Sequence, residues 1–294
     1  MSSAILVVGD VTDDIVVRPL TTVTAGSDTP AHIQRSPGGS AANTAAWLGR
    51  LSVPVRFVGR VGREDVDRHR DDLRRHGVDA HLGADSAHPT ATIVITLDGH
   101  GERSMYVDRG ANAGLVAGDV PADAWQDLGW LHLTGYSFFD PRVRPVVQAL
   151  VARARDQQIP WSIDPCSTAY LHEVGRDSFL QWTFGGSIAF PNVDEAALLT
   201  GLREPVEMAA ALTRYYDAVV VTCGADGAVA ATRSGQTAGV RAVEVETIDP
   251  TGAGDAFTAG FLAARIGGDA LPECLARGAA VAQDAVSCPG GRPA

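Results

Sequence analysis

The chain has 294 residues, with 24 arginines, no lysine and 35 acidic side chains, which gives a formal net charge of −11. The missing lysine excludes enzyme classes that require one, such as Walker-A NTPases, protein kinases and Schiff-base enzymes. The acidic balance, without an arginine-rich stripe, argues against a nucleic-acid partner. No apolar run reaches the roughly 20 residues that a membrane-spanning helix needs, so we expect no membrane partner.

The amino-terminal residues and the cysteines both favour the cytoplasm. Residues 1–8 lack a basic region and are predicted to form a buried first strand rather than a signal peptide. The four cysteines, at 166, 223, 274 and 288, form no close pairs. This spacing predicts reduced thiols rather than a disulfide framework or a metal site. We therefore expect a cytoplasmic protein.

Short apolar runs alternate with helical patterns through most of the chain, and nearly continuous apolar runs are typical of strands covered on both faces. The predicted strands are Ile5–Val8, Val55–Val58, Trp130–Leu133, Trp161–Ile163, Ile188–Phe190, Ala218–Val221 and Ala228–Ala231. The predicted helices are Ala41–Leu51, Glu64–His76, Arg142–Gln157, Val193–Leu199, Pro205–Tyr215 and Ala256–Ile266. This alternation predicts one α/β domain over residues 1–294, with a mostly parallel sheet flanked by helices.

Residues 11–36 and 89–109 break this alternation. The first segment contains the strand-like run Asp14–Val17, and the second contains Thr90–Leu97, followed by the turn Asp98–Gly101 and a further strand-like run. The second segment therefore has the pattern of a hairpin. Antiparallel strands inserted in a parallel α/β chain predict a small sheet standing off the main body, and such a sheet could serve as a lid over a ligand.

The strongest local signal is the segment Asp249–Phe257, in which a small-residue loop leads into an apolar helix. The amides of Gly252, Ala253 and Gly254 are predicted to lie at the helix N-terminus, where unpaired donors and the helix dipole favour a phosphate or an oxyanion. Asp255 projects from the same turn. Phosphoryl transfer needs stabilised charge on the transferred group and an acceptor for the hydroxyl proton, so Asp255 is a candidate base. The alternative is an acid that only stabilises the helix start.

Five further motifs occur in order along the chain: Gly9 with Asp14, Gly38-Gly39 with Asn43, Gly110-Ala111-Asn112, Pro191-Asn192 with Glu195, and Thr222–Gly227. Together with Asp249–Asp255, they span nearly the whole chain and resemble the ribokinase (PfkB) family of carbohydrate kinases. The resemblance implies a ribokinase-like three-layer α/β fold with a small antiparallel β lid. It also implies an ATP- and Mg²⁺-dependent kinase, with K⁺ as a further candidate cation, a small sugar or nucleoside as acceptor, and a homodimer formed through the lid.

The resemblance implies that Asp14, Gly39, Asn43 and Asn112 bind the acceptor. Asp14 would accept hydrogen bonds from sugar hydroxyls, Gly39 would let the backbone approach the sugar, and Asn43 would add an amide donor and acceptor. For Asp14 the structural alternative is a strand-end acid, and for Gly39 and Asn43 it is a helix-entry turn with a polar first-turn residue. Arg109 either meets an anionic substrate or faces water.

On the nucleotide side, the resemblance implies that Thr222, Gly224 and Gly227 line the path of ATP. It implies that Asn192 and Glu195 organise Mg²⁺ and its waters, which suits an ion that keeps several waters. The alternatives are a strand-to-turn transition for the first group and helix capping for the second. The family's monovalent-cation loop is matched by Asp249, Thr251, Ala285, Cys288 and Gly290.

The sequence departs from the family pattern at three places, one of which bears on the acceptor. Thr134 or Gly135 stands where ribokinase has a ribose-binding glutamate, which weakens ribose as the substrate. Ala279 stands where an asparagine near the adenine is common, and Glu64–Arg68 follows the second strand where the family often has a glycine.

The leading hypothesis is a kinase that phosphorylates a hydroxymethyl group of a small carbohydrate. The first alternative is a nucleoside kinase of adenosine, cytidine or pseudouridine type, with Tyr106, Tyr136, Phe138 or Phe139 as a wall for the base. The second is a kinase of an acidic sugar such as ketodeoxygluconate, held by Arg109. The intact Asp255 loop argues against a non-catalytic sensor on the same fold, and the lack of GxGxxG after the first strand argues against a Rossmann dehydrogenase.

Overall fold

The computed structural model describes residues 3–97 and 103–294. The predicted turn Asp98–Gly101 lies outside the described residues. The strands in the described ranges are β1 (Ala4–Val8), β2 (Thr12–Pro19), β3 (Ala31–Gly38), β4 (Val55–Gly62), β5 (Asp79–Asp85), β6 (Ala91–Leu97), β7 (Arg103–Asp108), β8 (Leu128–Thr134), β9 (Trp161–Asp164), β10 (Gly186–Ala189), β11 (Tyr216–Thr222), β12 (Ala228–Thr232) and β13 (Thr237–Val240). The α-helices are α1 (Ser40–Arg50), α2 (Val66–Arg75), α3 (Gly135–Phe139), α4 (Arg144–Asp156), α5 (Thr168–Val174), α6 (Arg176–Trp182), α7 (Val193–Thr200), α8 (Pro205–Leu212), α9 (Ala253–Ile266) and α10 (Leu271–Val286).

The main sheet has nine strands in the order β13-β12-β11-β10-β9-β8-β1-β4-β5. Its pairings are parallel except at β11–β12 and β12–β13. Successive side chains of the buried strand β1 point to opposite faces, as strand geometry requires. Ile5 and Val7 pack in a core with α1, α9 and α10, whereas Leu6 and Val8 pack in a second core with α4 to α8. The three-layer α/β fold class is confirmed.

The seven predicted strands and six predicted helices all fall on observed elements, with ends that move by a few residues. The edge strands β5 and β13 and the helices α3, α5, α6 and α10 were not predicted. Strand β5 is polar at alternate positions, and it pairs on one side only. Helix α10 carries Gly278 in its interior, where an added Cβ would lie 3.0 Å from Phe257 of α9. The glycine that weakens the helical pattern thus allows close packing of α10 on α9.

The second sheet has four strands in the order β3-β2-β6-β7. The pairs β2–β3 and β6–β7 are antiparallel, and the pairing that joins them, β2 with β6, is parallel. The predicted hairpin corresponds to β6–β7, whereas strand β3 was not predicted. Residues 64–68, where the sequence departs from the family pattern, anchor the base of this sheet. Arg68 donates to Asp13 of β2 at 2.7 Å and to Asp65 at 2.8 Å, and Asp65 accepts from Thr90, which precedes β6, at 2.5 Å.

Among the described helices, none combines the length and the apolar character needed to cross a membrane.

Candidate active site

The carboxyl ends of β1 and β8 to β11 meet at one edge of the main sheet, because these strands are parallel neighbours. A cavity of about 210 Å³ lies at this edge. We call it the small cavity. Its lining includes Ser40, Tyr136, Asp164, Asn192, Glu195, Thr222 and the start of α9 from Gly252 to Asp255. The structure thus brings four motifs that are far apart in the sequence to one cavity.

Asp255 lies in the wall of the small cavity and is only 9 % exposed. Two side chains of α1 donate to its carboxylate: Ser40 Oγ to Oδ1 at 2.6 Å and Asn43 Nδ2 to Oδ2 at 3.0 Å. Burial raises the pKa of Asp255 to about 8, although these two hydrogen bonds oppose the rise, and the nearby carboxyls of Asp164 and Asp10 add to it. Asp255 is therefore a carboxyl whose pKa lies within reach of neutral pH.

The two glycines at the start of α9 have different reasons to be glycine. Gly252 has a φ of 76°, and an added Cβ would lie 2.6 Å from the backbone of Gly291. An added Cβ on Gly254 would meet no atom within 4 Å, so this residue leaves open space beside the helix start. Helix α9 begins at Ala253, earlier than the predicted Ala256. The Ala253 amide, predicted to be unobstructed, donates to Pro250 O at 3.3 Å. Gly254 is in the first turn, where an amide has no partner within the helix.

The position of Ser40 depends on a residue that the sequence did not single out. Asp10, buried after β1, accepts hydrogen bonds from the Ser40 amide at 2.7 Å and from Thr134 Oγ1 at 2.9 Å. It therefore ties the start of α1 to the end of β8. Asp10 follows Gly9, which belongs to one of the sequence motifs. An acid directly after the first strand was therefore the signal that could have identified this residue.

Asp14 and the two glycines before α1 lie together. Asp14 is buried and accepts from Thr12 Oγ1 at 2.7 Å, and burial raises the pKa of its carboxyl to about 6. An added Cβ on Gly38 would lie 2.2 Å from the Asp14 carboxylate. Gly39 has a φ of 95°, and its Cβ would lie 2.6 Å from the carbonyl oxygen of Asp10. Close contacts within the chain therefore already require glycine at both positions. A contact between Gly39 and a sugar stays a prediction.

Asn112 and Arg109, which were also predicted to bind the substrate, already have polar partners within the chain. Asn112 uses both ends of its amide on the backbone of Val11: Oδ1 accepts from the amide at 3.3 Å, and Nδ2 donates to the carbonyl at 3.1 Å. Arg109 donates to the carbonyl of Tyr136 at 2.9 Å, and its Nε lies 3.9 Å from the carboxylate of Asp140. The charge of Arg109 thus already faces a carboxylate.

A second cavity of about 520 Å³, which we call the large cavity, lies on the other side of the α9 start. Its lining includes Thr222, Gly224 and Gly227, the three residues predicted to line the path of ATP, together with Ala279. The strand-to-turn alternative is also observed, because β11 ends at Thr222 and a 3₁₀ turn follows. The two cavities share Thr222, Pro250, Ala253 and Gly254. The first turn of α9 therefore forms part of the wall of both cavities.

Asn192 and Glu195 cap α7 and also line the small cavity. Asn192 Oδ1 accepts from the Glu195 amide at 2.9 Å, and Glu195 Oε2 accepts from the Asn192 amide at 3.0 Å. The capping alternative is thus present in the same residues that line the cavity. Burial raises the pKa of Glu195 and of the neighbouring Asp164. Such oxygen donors suit Mg²⁺, which takes few protein ligands and keeps waters. In residues 3–97 and 103–294, no three His, Cys, Asp or Glu side chains group closely enough to hold a metal ion alone.

The predicted cation loop comes together beside the start of α9. Asp249 accepts from the amides of Thr251 at 3.0 Å and Gly290 at 3.1 Å. The amide of Cys288 donates to the carbonyl of Ala285 at 3.1 Å. The two stretches that hold the five predicted residues are therefore adjacent, and cation binding stays a prediction.

Comparison with known proteins matches residues 2–294 to the family model described as pfkB family carbohydrate kinase. The chain belongs to the pfkB family of carbohydrate kinases. A fructokinase of Klebsiella pneumoniae is 30 % identical over 287 residues, which cover 94 % of this chain and 88 % of the relative. The crystal structure of adenosine kinase from Sinorhizobium meliloti is 27 % identical with a TM-score of 0.88, and the match covers 100 % of this chain and 96 % of that one.

A structure of Arabidopsis thaliana ribokinase, complexed with ribose and ATP, is 25 % identical with a TM-score of 0.83, and the match covers 100 % of this chain and 96 % of that one. PfkB family carbohydrate kinases are ATP-dependent phosphotransferases that act on sugar hydroxyls. The chain is accordingly a sugar or nucleoside kinase.

Proposed function

We propose that this pfkB kinase transfers the γ-phosphoryl group of ATP to a hydroxymethyl group of a small neutral sugar, with Asp255 as the general base. One observation carries the proposal: the small and large cavities meet at the first turn of α9, and the carboxylate of Asp255 lies in the wall of the small one. The hydroxymethyl end of the acceptor would lie in the small cavity beside Asp255 and the nucleotide in the large one, so that the transferred group passes over Gly254.

Each step of the transfer has a residue suited to it. The acceptor hydroxyl loses its proton to Asp255, its oxygen forms a bond to the γ-phosphorus, and the bond from that phosphorus to the bridging oxygen breaks to leave ADP. The amide of Gly254 and the positive end of α9 would stabilise the negative charge of the transferred group. Ser40 and Asn43 support the proton acceptor, because both donate to Asp255 and favour its ionised form.

Asp14, Gly39 and Asn43 do not line the small cavity, and we propose that they hold the rest of the acceptor beside it. A carboxylate such as that of Asp14 can accept hydrogen bonds from two sugar hydroxyls. Asp14 lies at the start of β2, at the base of the second sheet. We propose that this sheet closes over the acceptor and excludes water, which would otherwise compete for the phosphoryl group.

The metal sites belong to the same proposal. Asn192 and Glu195 would help to hold Mg²⁺, which would share the negative charge of the phosphates. Asp249 and Thr251 would hold a monovalent cation such as K⁺ beside the loop that leads into α9, together with backbone groups of Ala285, Cys288 and Gly290. Exchange of K⁺ for choline in the assay tests the second site.

A neutral sugar fits better than the two other acceptor classes. Arg109, the candidate clamp for an acidic sugar, already faces Asp140 and donates to a carbonyl. Of the four aromatic residues considered for a nucleobase wall, Tyr136 lines the small cavity, whereas Tyr106 is 64 % exposed on the second sheet, and the other two, Phe138 and Phe139, are buried in the core. A nucleoside stays the second candidate because Tyr136 is suitably placed and the adenosine kinase of Sinorhizobium meliloti shares the fold.

The proposal is tested by coupled ADP release over a panel of hexoses, pentoses, nucleosides and sugar acids, with Asp255→Asn as the matched blank. We expect ADP release with at least one neutral sugar, and a phosphorylated hydroxymethyl carbon in the product by NMR. Release with nucleosides alone would replace the sugar by the second candidate. Release that is equal in the blank would contradict the role of Asp255.

A further inference from the structure

Arg292, in the segment that follows α10, is buried beneath the acceptor side of the site and is only 7 % exposed. Its guanidinium reaches three separate parts of the chain. Nε donates to Asn43 Oδ1 at 3.3 Å, and Nη2 donates to the carbonyl of Gly38 at 2.9 Å. Nη1 pairs with the carboxylate of Asp72 on α2. A buried arginine is tolerated only where its charge and its donors are satisfied, as they are here.

The residues just before Arg292 are also fixed to the site. The Gly290 amide donates to Asp249 in the loop that precedes α9. The carbonyl of Gly291 accepts from Trp47 Nε1 of α1 at 3.0 Å. Residues 290–292 therefore lie against both elements that carry the proposed base and its partners, and Arg292 cannot shift without loss of these contacts.

The contact with Arg292 determines which way the Asn43 amide points. An asparagine amide has an acceptor end and a donor end, whereas arginine carries donors only. The Nε of Arg292 therefore requires Oδ1 of Asn43 on its side, and this turns Nδ2 toward Asp255. The reverse orientation would place the amide nitrogen against the guanidinium and the amide oxygen against the carboxylate, and both contacts would be repulsive.

We propose that Arg292 is a positioning residue for the base: it fixes the amide of Asn43 so that a hydrogen-bond donor faces Asp255. The ionised carboxylate, which is the form that accepts the proton, is favoured as a result. The same guanidinium holds the carbonyl of Gly38 and so fixes the turn beside Asp14. The inference rests on the proposed function, because it takes Asp255 to be the base.

The ionisable groups around these residues bear on any pH effect. Asp255 is faced by Asp10 from the end of β1, by Tyr136 from α3 and by Asp164 from β9. None of these groups contacts Arg292 in the hydrogen bonds described above.

Arg292 itself is faced by Asp13 and Asp14 of β2, by Asp72 of α2 and by His76 after α2. Lysine at this position keeps a positive charge beside these groups. A lysine lacks the planar guanidinium that donates to Asn43, Gly38 and Asp72 at the same time. The substitution therefore removes hydrogen bonds of fixed direction but keeps the charge.

The test is the pH profile of kcat for Arg292→Lys, measured at saturating ATP and acceptor, where Asp14 is engaged by the acceptor. We expect the acid limb to move up by about one pH unit, which lowers kcat on that limb about ten-fold. The KM for ATP is expected to stay unchanged. Arg75→Ala is the matched control, because Arg75 pairs with the same Asp72 but is 71 % exposed and does not touch Asn43. Its profile is expected to match the wild type.

A double-mutant cycle separates positioning from a general structural effect. Asn43→Ala alone is expected to move the acid limb upward, and Arg292→Lys is expected to add no further shift in that background. An unchanged limb in Arg292→Lys, or equal shifts in both backgrounds, would overturn the inference. If Arg292→Lys does not fold, as judged by thermal melting, an unchanged acid limb in Asn43→Ala overturns it as well. Wild-type turnover in Asp255→Asn would instead overturn the proposed function on which the inference rests.

Discussion

Ser40 Oγ donates a 2.6 Å hydrogen bond to the carboxylate of Asp255, across 215 positions of the chain. The contact depends on the parallel sheet, because Asp10 at the end of β1 holds the amide of Ser40 at the start of α1. The serine lies directly after the Gly38-Gly39 motif, and the aspartate lies in the first turn of α9. The first turns of α1 and α9 thus meet at the same sheet edge, where the serine holds the carboxylate that we propose as the base.

Ser40→Ala is expected to lower kcat at neutral pH. The lost hydrogen bond favoured the ionised form of Asp255, so its pKa rises further and a smaller fraction can accept a proton. We expect the acid limb of kcat to move upward and kcat on that limb to fall about ten-fold, the scale of a hydrogen bond to a charged group. Ser234→Ala is the control, because this exposed serine lies in the turn between β12 and β13, and its hydroxyl contacts only Thr232 Oγ1, at 2.9 Å, in the described structure. A profile equal to wild type in Ser40→Ala would contradict the role of the contact.

Asp255→Asn is expected to raise thermal stability in a pH-dependent way. Burial raises the pKa of Asp255 from 3.8 to about 8, so the folded chain keeps a proton that the unfolded chain releases near pH 4. The free energy of unfolding of the wild type therefore falls as pH rises from about 4 to about 8, and the asparagine variant lacks this loss. We expect the variant to gain at least about 3 °C in Tm at pH 8 and to match the wild type at pH 4. An equal difference at both pH values would contradict this assignment.

Alanine at the two glycines of the α9 start is expected to have opposite effects on stability. Gly252→Ala places a side chain in a left-handed conformation against Gly291, which costs about 1–3 kcal/mol of unfolding free energy. Gly254→Ala meets no atom and removes a flexible residue from a helix, which gains up to about 1 kcal/mol of unfolding free energy.

The methyl group of Gly254→Ala also enters the space between the two cavities, so we expect a lower kcat or a higher KM for ATP. Denaturant unfolding and ADP release measure the two effects, and a Gly254→Ala enzyme with wild-type kinetics would exclude this residue from the phosphate path.

Arg109→Ala is expected to affect neutral and acidic acceptors equally. The guanidinium faces Asp140 and the carbonyl of Tyr136, so its removal disturbs the wall of the site rather than a carboxylate clamp. We expect kcat/KM to fall by the same factor for a neutral sugar and for its acid analogue. A loss at least ten-fold larger for the acid would restore the acidic-sugar kinase as the better hypothesis.

The main features of the fold could be predicted because buried strands and helix starts leave local signals. The runs around Ile5 and Val219 are apolar throughout, and the glycines before Asp255 indicate a helix start. Edge strands such as β5 lack such a signal, because one side of the strand has no partner and polar residues are accepted there.

The site was only partly predictable, because its remaining parts depend on contacts between distant segments. Asp10, Ser40 and Asp164 each follow or end a predicted strand or precede a helix, but nothing local shows that they converge on Asp255. Arg292 gave no signal at all in a short segment rich in glycine and proline. Its partners are known only once the helices α1 and α2 are placed on the sheet.

The most direct test of the account is the turnover of Asp255→Asn on the best acceptor from the ADP-release screen, with ATP binding measured in parallel by calorimetry. We expect kcat to fall by at least about 100-fold, the scale of a lost general base, while the Kd for ATP stays within a factor of about three of the wild type, because the large cavity is unchanged. Turnover near the wild-type value would contradict the account, since the proton of the acceptor would then be removed without this carboxylate.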